Sequence, residues 1–100
     1  MLNIEIRKED DTLTVCPEGM INTHTAGEFK ERLNEIPDDA GKVIVDLEKL
    51  KYISSAGLRV ILGLHNRIEK GGGEIIFTNL NNVIREVFED TGFSDFLTIE

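Results

Sequence analysis

Two short apolar runs, Val43-Ile44-Val45 and Ile75-Ile76-Phe77, show no alternation with polar residues. A strand with that composition is buried on both faces, as in a parallel sheet covered by helices. Between the runs, Val60, Ile61, Leu64 and Ile68 recur at helical spacing within Ala56 to Lys70, in a stripe widened by Leu58 and Leu62. Parallel neighbours need a crossover of this kind, so the strand–helix–strand order predicts a βαβ unit. The chain of 100 residues, 40% of them apolar, suits one domain over 1–100 with a single core.

The remaining segments extend that unit. Leu2, Ile4 and Ile6 alternate with Asn3, Glu5 and Arg7, and Thr12 to Cys16 resumes the alternation after a polar break. This predicts an antiparallel hairpin with one wet face, ended by Pro17 and Gly19. Thr25-Ala26-Gly27-Glu28 has the form of a capping box. It precedes a helix carrying Ala26, Phe29, Leu33 and Ile36, closed by Pro37-Asp38-Asp39-Ala40-Gly41. Gly71-Gly72-Gly73 stops the second helix. Leu80, Val83, Ile84, Val87 and Phe88 predict a third, ending near Gly92, and Phe96 to Ile99 a short edge strand. The expected order is β-β-α-β-α-β-α-β, an α/β fold with a mixed sheet and helices mostly on one face.

Charge narrows the function. Asp and Glu number 19 against 11 Lys and Arg, a formal charge of -8 with the basic residues scattered and no Trp. Nucleic-acid and anionic-membrane surfaces demand the opposite. Cys16 is the single cysteine, no apolar stretch reaches spanning length, and Met1 to Ile6 lacks the form of a signal peptide. A cytoplasmic protein with a protein partner is the expectation.

Ser54 and Ser55 stand where a buried strand, after a short loop, gives way to the second helix. A plain N-cap pair is the ordinary reading. The same place also suits a phosphate, because a helix start exposes unsatisfied N–H groups and the positive end of its dipole. A phosphoserine adds roughly 1.5 to 2 negative charges at one point. The free protein accepts that charge, whereas a partner packed over it would bury it unpaired.

Tyr52-Ile53-Ser54-Ser55-Ala56-Gly57-Leu58-Arg59-Val60 resembles the signature loop of the STAS family, found in sulfate-transporter tails and anti-sigma factor antagonists. Val43 to Leu47 resembles the family's central strand, and Gly19 to Ala26 its first conserved loop. Gly72-Gly73-Glu74-Ile75 and Val87-Phe88 also fit, so the resemblance spans essentially the whole chain. It implies that Ser55 is phosphorylated by an anti-sigma factor, a serine kinase of the histidine-kinase-like ATPase type. The unphosphorylated antagonist captures that kinase and frees the sigma factor. A metal-dependent serine phosphatase restores the state. The implied contact surface is Asn22, Thr23, His24, Ser54, Ser55, Gly57, Leu58 and Arg59, with Leu58 and Arg59 on the exposed start of the helix. The chain departs from the pattern where many antagonists carry Asp and this one has Ser54, and where it has Asn22. The family's last helix has no counterpart before Glu100.

Other chemistries are poorly served. His65 lies too far along the helix to act on Ser55, and Ser-Ser-Ala-Gly is not a nucleophile elbow, so His24 and His65 read as a polar loop residue and a partly exposed helix residue. Cys16, His24 and His65 match no metal-ligand spacing. The triple glycine follows a helix and precedes a strand, the reverse of a phosphate-binding loop, so it reads as a helix stop and no cofactor is expected. The STAS resemblance implies that ATP belongs to the partner kinase. Glu9-Asp10-Asp11 and Asp38-Asp39 read as solvated turns, and the Phe residues as core. Arg59 suits a phosphate, a partner's acid or plain solvation. The competing function is a phosphorylation-independent STAS scaffold or regulatory subunit of a transporter or signalling complex. No enzymatic activity is expected.

Overall fold

A computed structural model describes residues 2–100. Strand β1 (Leu2–Glu9) and strand β2 (Thr12–Ile21) form the hairpin, turning through Asp10 at φ 53°. Helix α1 (Ala26–Leu33), strand β3 (Lys42–Asp46), strand β4 (Leu50–Ile53), helix α2 (Ser55–Lys70), strand β5 (Glu74–Thr78) and helix α3 (Asn82–Asp90) follow. A single 3-10 turn, Phe93–Asp95, comes after α3. β1 and β2 run antiparallel, while β2–β3, β2–β4 and β3–β5 are parallel. The sheet is mixed, as the hairpin and crossovers required.

β2 organises the sheet. One edge pairs with β1 throughout. The other is divided: Thr12–Val15 pairs with β3, and Gly19–Ile21 pairs with β4. The register shifts where Gly19↔Leu50 is followed by Met20↔Tyr52, leaving Lys51 as the extra residue. Gly19 sits there at φ 108°, a region that side-chain-bearing residues avoid.

The core lies on one face of the sheet. Ile4, Val15, Val43, Val45, Ile75 and Phe77 meet Phe29, Leu33, Leu58, Ile61, Leu64 and Ile68 of α1 and α2, with Ile84 and Phe88 of α3 closing one end. The opposite face shows Asn3, Glu5 and Arg7 to solvent. Ile44 is only half-buried, so the β3 run is fully covered on one face rather than two. Its lack of alternation reflects Ile44 standing beside the buried Ile76 on that second face.

Several local expectations change. β4 was unforeseen: it has four residues, of which the middle two are exposed, so it carries no periodic signal. The order is therefore β-β-α-β-β-α-β-α. The edge strand expected over Phe96 to Ile99 reduces to a single parallel bridge, Phe77↔Ile99, and Phe96 is 45% exposed instead of in the core. Helix α1 ends at Leu33, and Ile36 is buried from the following turn. No capping box forms at Thr25, which makes no side-chain cap bond. His65 is buried rather than partly exposed, edge-on to the Phe96 ring at 5.6 Å. Gly72, at φ 87°, supplies the left-handed stop after α2.

Arg67 joins the two core-covering helices. From α2 it donates to the carbonyls of Leu33 at 2.8 Å and Ile36 at 2.6 Å, and to Asp38 Oδ1 at 2.7 Å. These carbonyls lie at and beyond the end of α1, where helical partners run out and a cation is favoured. Arg67→Ala is expected to lower the unfolding free energy by roughly 2 kcal/mol, because several charge-assisted bonds to backbone are lost together. Urea denaturation followed by circular dichroism measures this, and an unchanged midpoint would refute it.

Candidate functional site

The site forms where β2 and β4 leave the sheet side by side. The Ser54 N–H donates to the Ile21 carbonyl at 2.8 Å, extending the β2–β4 pairing by one bond. The chain then turns into α2 from β4 and into the Asn22–Thr25 loop from β2. The two loops that the sequence singled out are thus brought together by backbone pairing.

Ser54 is the N-cap of α2, with extended backbone at φ -89° and ψ 173°. Its Oγ accepts from the Gly57 N–H at 3.3 Å, and its carbonyl accepts from the Leu58 N–H at 2.9 Å. The hydroxyl is therefore committed to the helix start. Ser55 is the first helical residue and is exposed. The first turn holds no acidic side chain, so nothing neutralises the positive end of the dipole there.

Gly57 and Leu58 do not present a surface. Gly57 is buried, and a Cβ there would lie 2.6 Å from Ile21 Cγ2 and 2.8 Å from Ile53 Cγ1. Glycine lets α2 begin flush against the ends of β2 and β4. Leu58, expected on the exposed start of the helix, is 5% exposed and belongs to the core. Its place in the turn points it at the sheet, while Arg59 next to it faces solvent. Both buried residues position Ser55.

In the first loop, Asn22 is structural. Its Oδ1 accepts from the N–H groups of His24 at 2.9 Å and Thr25 at 3.0 Å, and its carbonyl accepts from Thr25 and Ala26. Thr25 Oγ1 in turn accepts from the Asn22 N–H at 2.8 Å and donates to the Met20 carbonyl at 3.0 Å. This reciprocal Asx turn replaces the expected capping box. It holds Thr23 and His24 outward, both exposed. His65 faces the core on α2, ten positions beyond Ser55, which is about 15 Å along the helix.

Two further residues stand beside the site. Met20 and Tyr52 are register partners across β2 and β4, each 43% exposed, in the step before Ile21 and Ile53. Met20 follows the outward phase of Cys16 and Glu18, so its orientation was legible in the sequence. Tyr52 was not, because its phase depends on the bulge at Lys51. The pair makes an apolar step next to the Ser54–Ser55 turn.

Comparison with known proteins agrees with this architecture. Residues 3–100 match the sequence model of the STAS domain. BtrV of Bordetella bronchiseptica is 34% identical over 93 residues, covering 92% of this chain and 80% of the relative. The anti-sigma-B factor antagonist of Listeria monocytogenes is 31% identical over 101 residues, covering 99% of this chain and 89% of the relative. Among solved structures, the Bacillus anti-sigma factor antagonist SpoIIAA in its unphosphorylated form superposes with a TM-score of 0.80 at 20% identity, covering 98% of this chain and 88% of that one. The same protein in its phosphorylated form superposes at 0.74, again at 20% identity, covering 98% and 91%. Because the family's sequence model spans residues 3–100, this chain belongs to the STAS domain family.

Proposed function

We propose that this chain is an anti-sigma factor antagonist whose binding is switched by phosphorylation of Ser55. The observation that carries the reading is the division of labour between the two serines. Ser54 caps α2 with its hydroxyl, whereas Ser55 is exposed one residue later at the positive helix end. A phosphate on Ser55 leaves the cap intact and the fold undisturbed, while it places about two negative charges on the exposed start of α2. The relatives named as anti-sigma-B factor antagonists, and the existence of a phosphorylated form of SpoIIAA, support the same assignment.

On this reading the unphosphorylated protein binds an anti-sigma factor that is a serine kinase, and thereby releases a sigma factor. Thr23, His24, Ser55 and Arg59 contribute the polar contacts, and the Met20–Tyr52 step contributes apolar area. Phosphorylation breaks the complex because the partner buries a charge it does not pair. A metal-dependent serine phosphatase reverses the modification. The chain is a substrate of both enzymes and catalyses neither step.

Incubation with the cognate anti-sigma kinase and Mg-ATP, read by intact mass, is expected to add one phosphate to the parent protein and to Ser54→Ala, and none to Ser55→Ala. Labelling of Ser55→Ala, or a parent that binds an active kinase without being labelled, would overturn the switch in favour of a constitutive scaffold. Ser55→Asp is expected to weaken kinase binding by about 100-fold with an unchanged far-UV spectrum. Ser54→Ala is expected to lower stability by about 1 kcal/mol through loss of the cap. Calorimetric titration and urea melts, respectively, measure these effects.

A further inference from the structure

A groove of about 370 Å³ runs between α1 and α2. Its apolar floor is the half-buried Val60 with the edges of the core residues Leu33 and Leu64; Lys30, Arg59 and Arg67 line it, and no carboxylate does. In a chain of net charge -8 this is a local reversal of sign. Arg67 is held by the end of α1 and by Asp38. Lys30 and Arg59 are exposed and, among the described residues, form no ion pair. Two uncompensated cations therefore flank a strip of apolar surface.

Gly63 adds an independent observation. It sits in the middle of α2, where glycine costs about 1 kcal/mol relative to alanine. A Cβ there would meet nothing within 4 Å, so packing inside the domain gives no reason for its absence. Gly63 lines the groove, and any side chain on it would narrow the slot. The helix thus carries the cost of a glycine there with no compensating contact inside the domain.

We propose that this groove docks an acidic segment of the anti-sigma factor, one that lays an apolar side chain on Val60 and Leu64 between carboxylates facing Lys30 and Arg59. The inference rests on the antagonist reading above and extends its surface along α2, since Arg59 lies one turn beyond Ser55. Three features favour a protein segment. The floor is aliphatic and offers no aromatic face on which a base could stack. The net charge of the chain repels a polyanion. Lys30, Arg59 and Gly63 are all exposed, so the groove covers one side of an occupant, whereas small-molecule sites enclose most of their ligand.

The test is a calorimetric titration of the cognate anti-sigma factor with the full chain, as wild type, Lys30→Glu, Gly63→Leu and Gly63→Ala, at about 50 mM and about 500 mM salt. Ser55→Asp serves as the control for the phosphorylation site. Lys30→Glu is expected to bind about 10-fold more weakly at low salt, with the difference shrinking at high salt. Gly63→Leu is expected to bind about 10-fold more weakly at both. Gly63→Ala is expected to melt at a higher temperature than the parent, which shows that the Gly63→Leu effect is steric and not a loss of helix. Wild-type binding that is lost in Ser55→Asp but unchanged in folded Lys30→Glu and Gly63→Leu would overturn the groove and leave the antagonist reading intact. A wild type that does not bind the anti-sigma factor would overturn both.

Discussion

Strand β2 is the element to which the others are referred. It pairs with β1 along one edge and with β3 and then β4 along the other. A strand can serve two partners on one edge only if the ladder is allowed to break, and Gly19 at φ 108° with the extra residue Lys51 makes the break. Beyond it the bond from Ser54 N–H to the Ile21 carbonyl draws the start of α2 against the end of β2. Without that forked pairing, the Asn22 loop and the Ser54–Ser55 turn would leave the sheet at different places.

The site is built from rigid parts. Asn22 and Thr25 lock one loop through reciprocal side-chain bonds, and Asn81 does comparable work near β4. Asn81 Oδ1 accepts from the Ile84 N–H at 2.9 Å while its Nδ2 donates to the Leu50 carbonyl at 2.7 Å, so one amide both caps α3 and ties it to the strand. Gly57 and Leu58 seat α2 from beneath. A surface held this firmly keeps its shape when charge is added to it, which is what the switch proposed at Ser55 requires.

The two long helices carry both the core and the outer charge pattern. Their inner faces supply Phe29, Leu33, Ile61, Leu64 and Ile68 to the sheet. Between their outer faces, Lys30, Arg59 and Arg67 concentrate positive charge within an acidic molecule. Arg67 serves stability by satisfying carbonyls at the end of α1, whereas Lys30 and Arg59 make no such bonds among the described residues. Similar residues along one groove thus divide between holding the helices together and standing exposed.

Local periodicity determined much of this protein. The hairpin, three amphipathic helices and the βαβ order follow from spacing, because each segment's own burial pattern repeats within a few residues. The start of the second helix was legible for the same reason, because a serine pair before an apolar helical stripe marks a helix start, while its candidacy as a site came from the resemblance of Tyr52 to Val60 to the STAS signature loop. Tertiary structure decided what depends on distant neighbours. β4 exists because β2, some thirty residues earlier, offers it an edge, and four residues with two exposed in the middle carry no period of their own. Leu58 is buried with the apolar stripe to which its spacing assigns it, against the exposed place that the resemblance implied, and His65, on the same face between Ile61 and Ile68, is buried edge-on to Phe96, a distant neighbour. Which serine caps and which stays free, and which cations share a groove, are matters of a few ångströms between separate elements, and those distances arise only when the chain is packed.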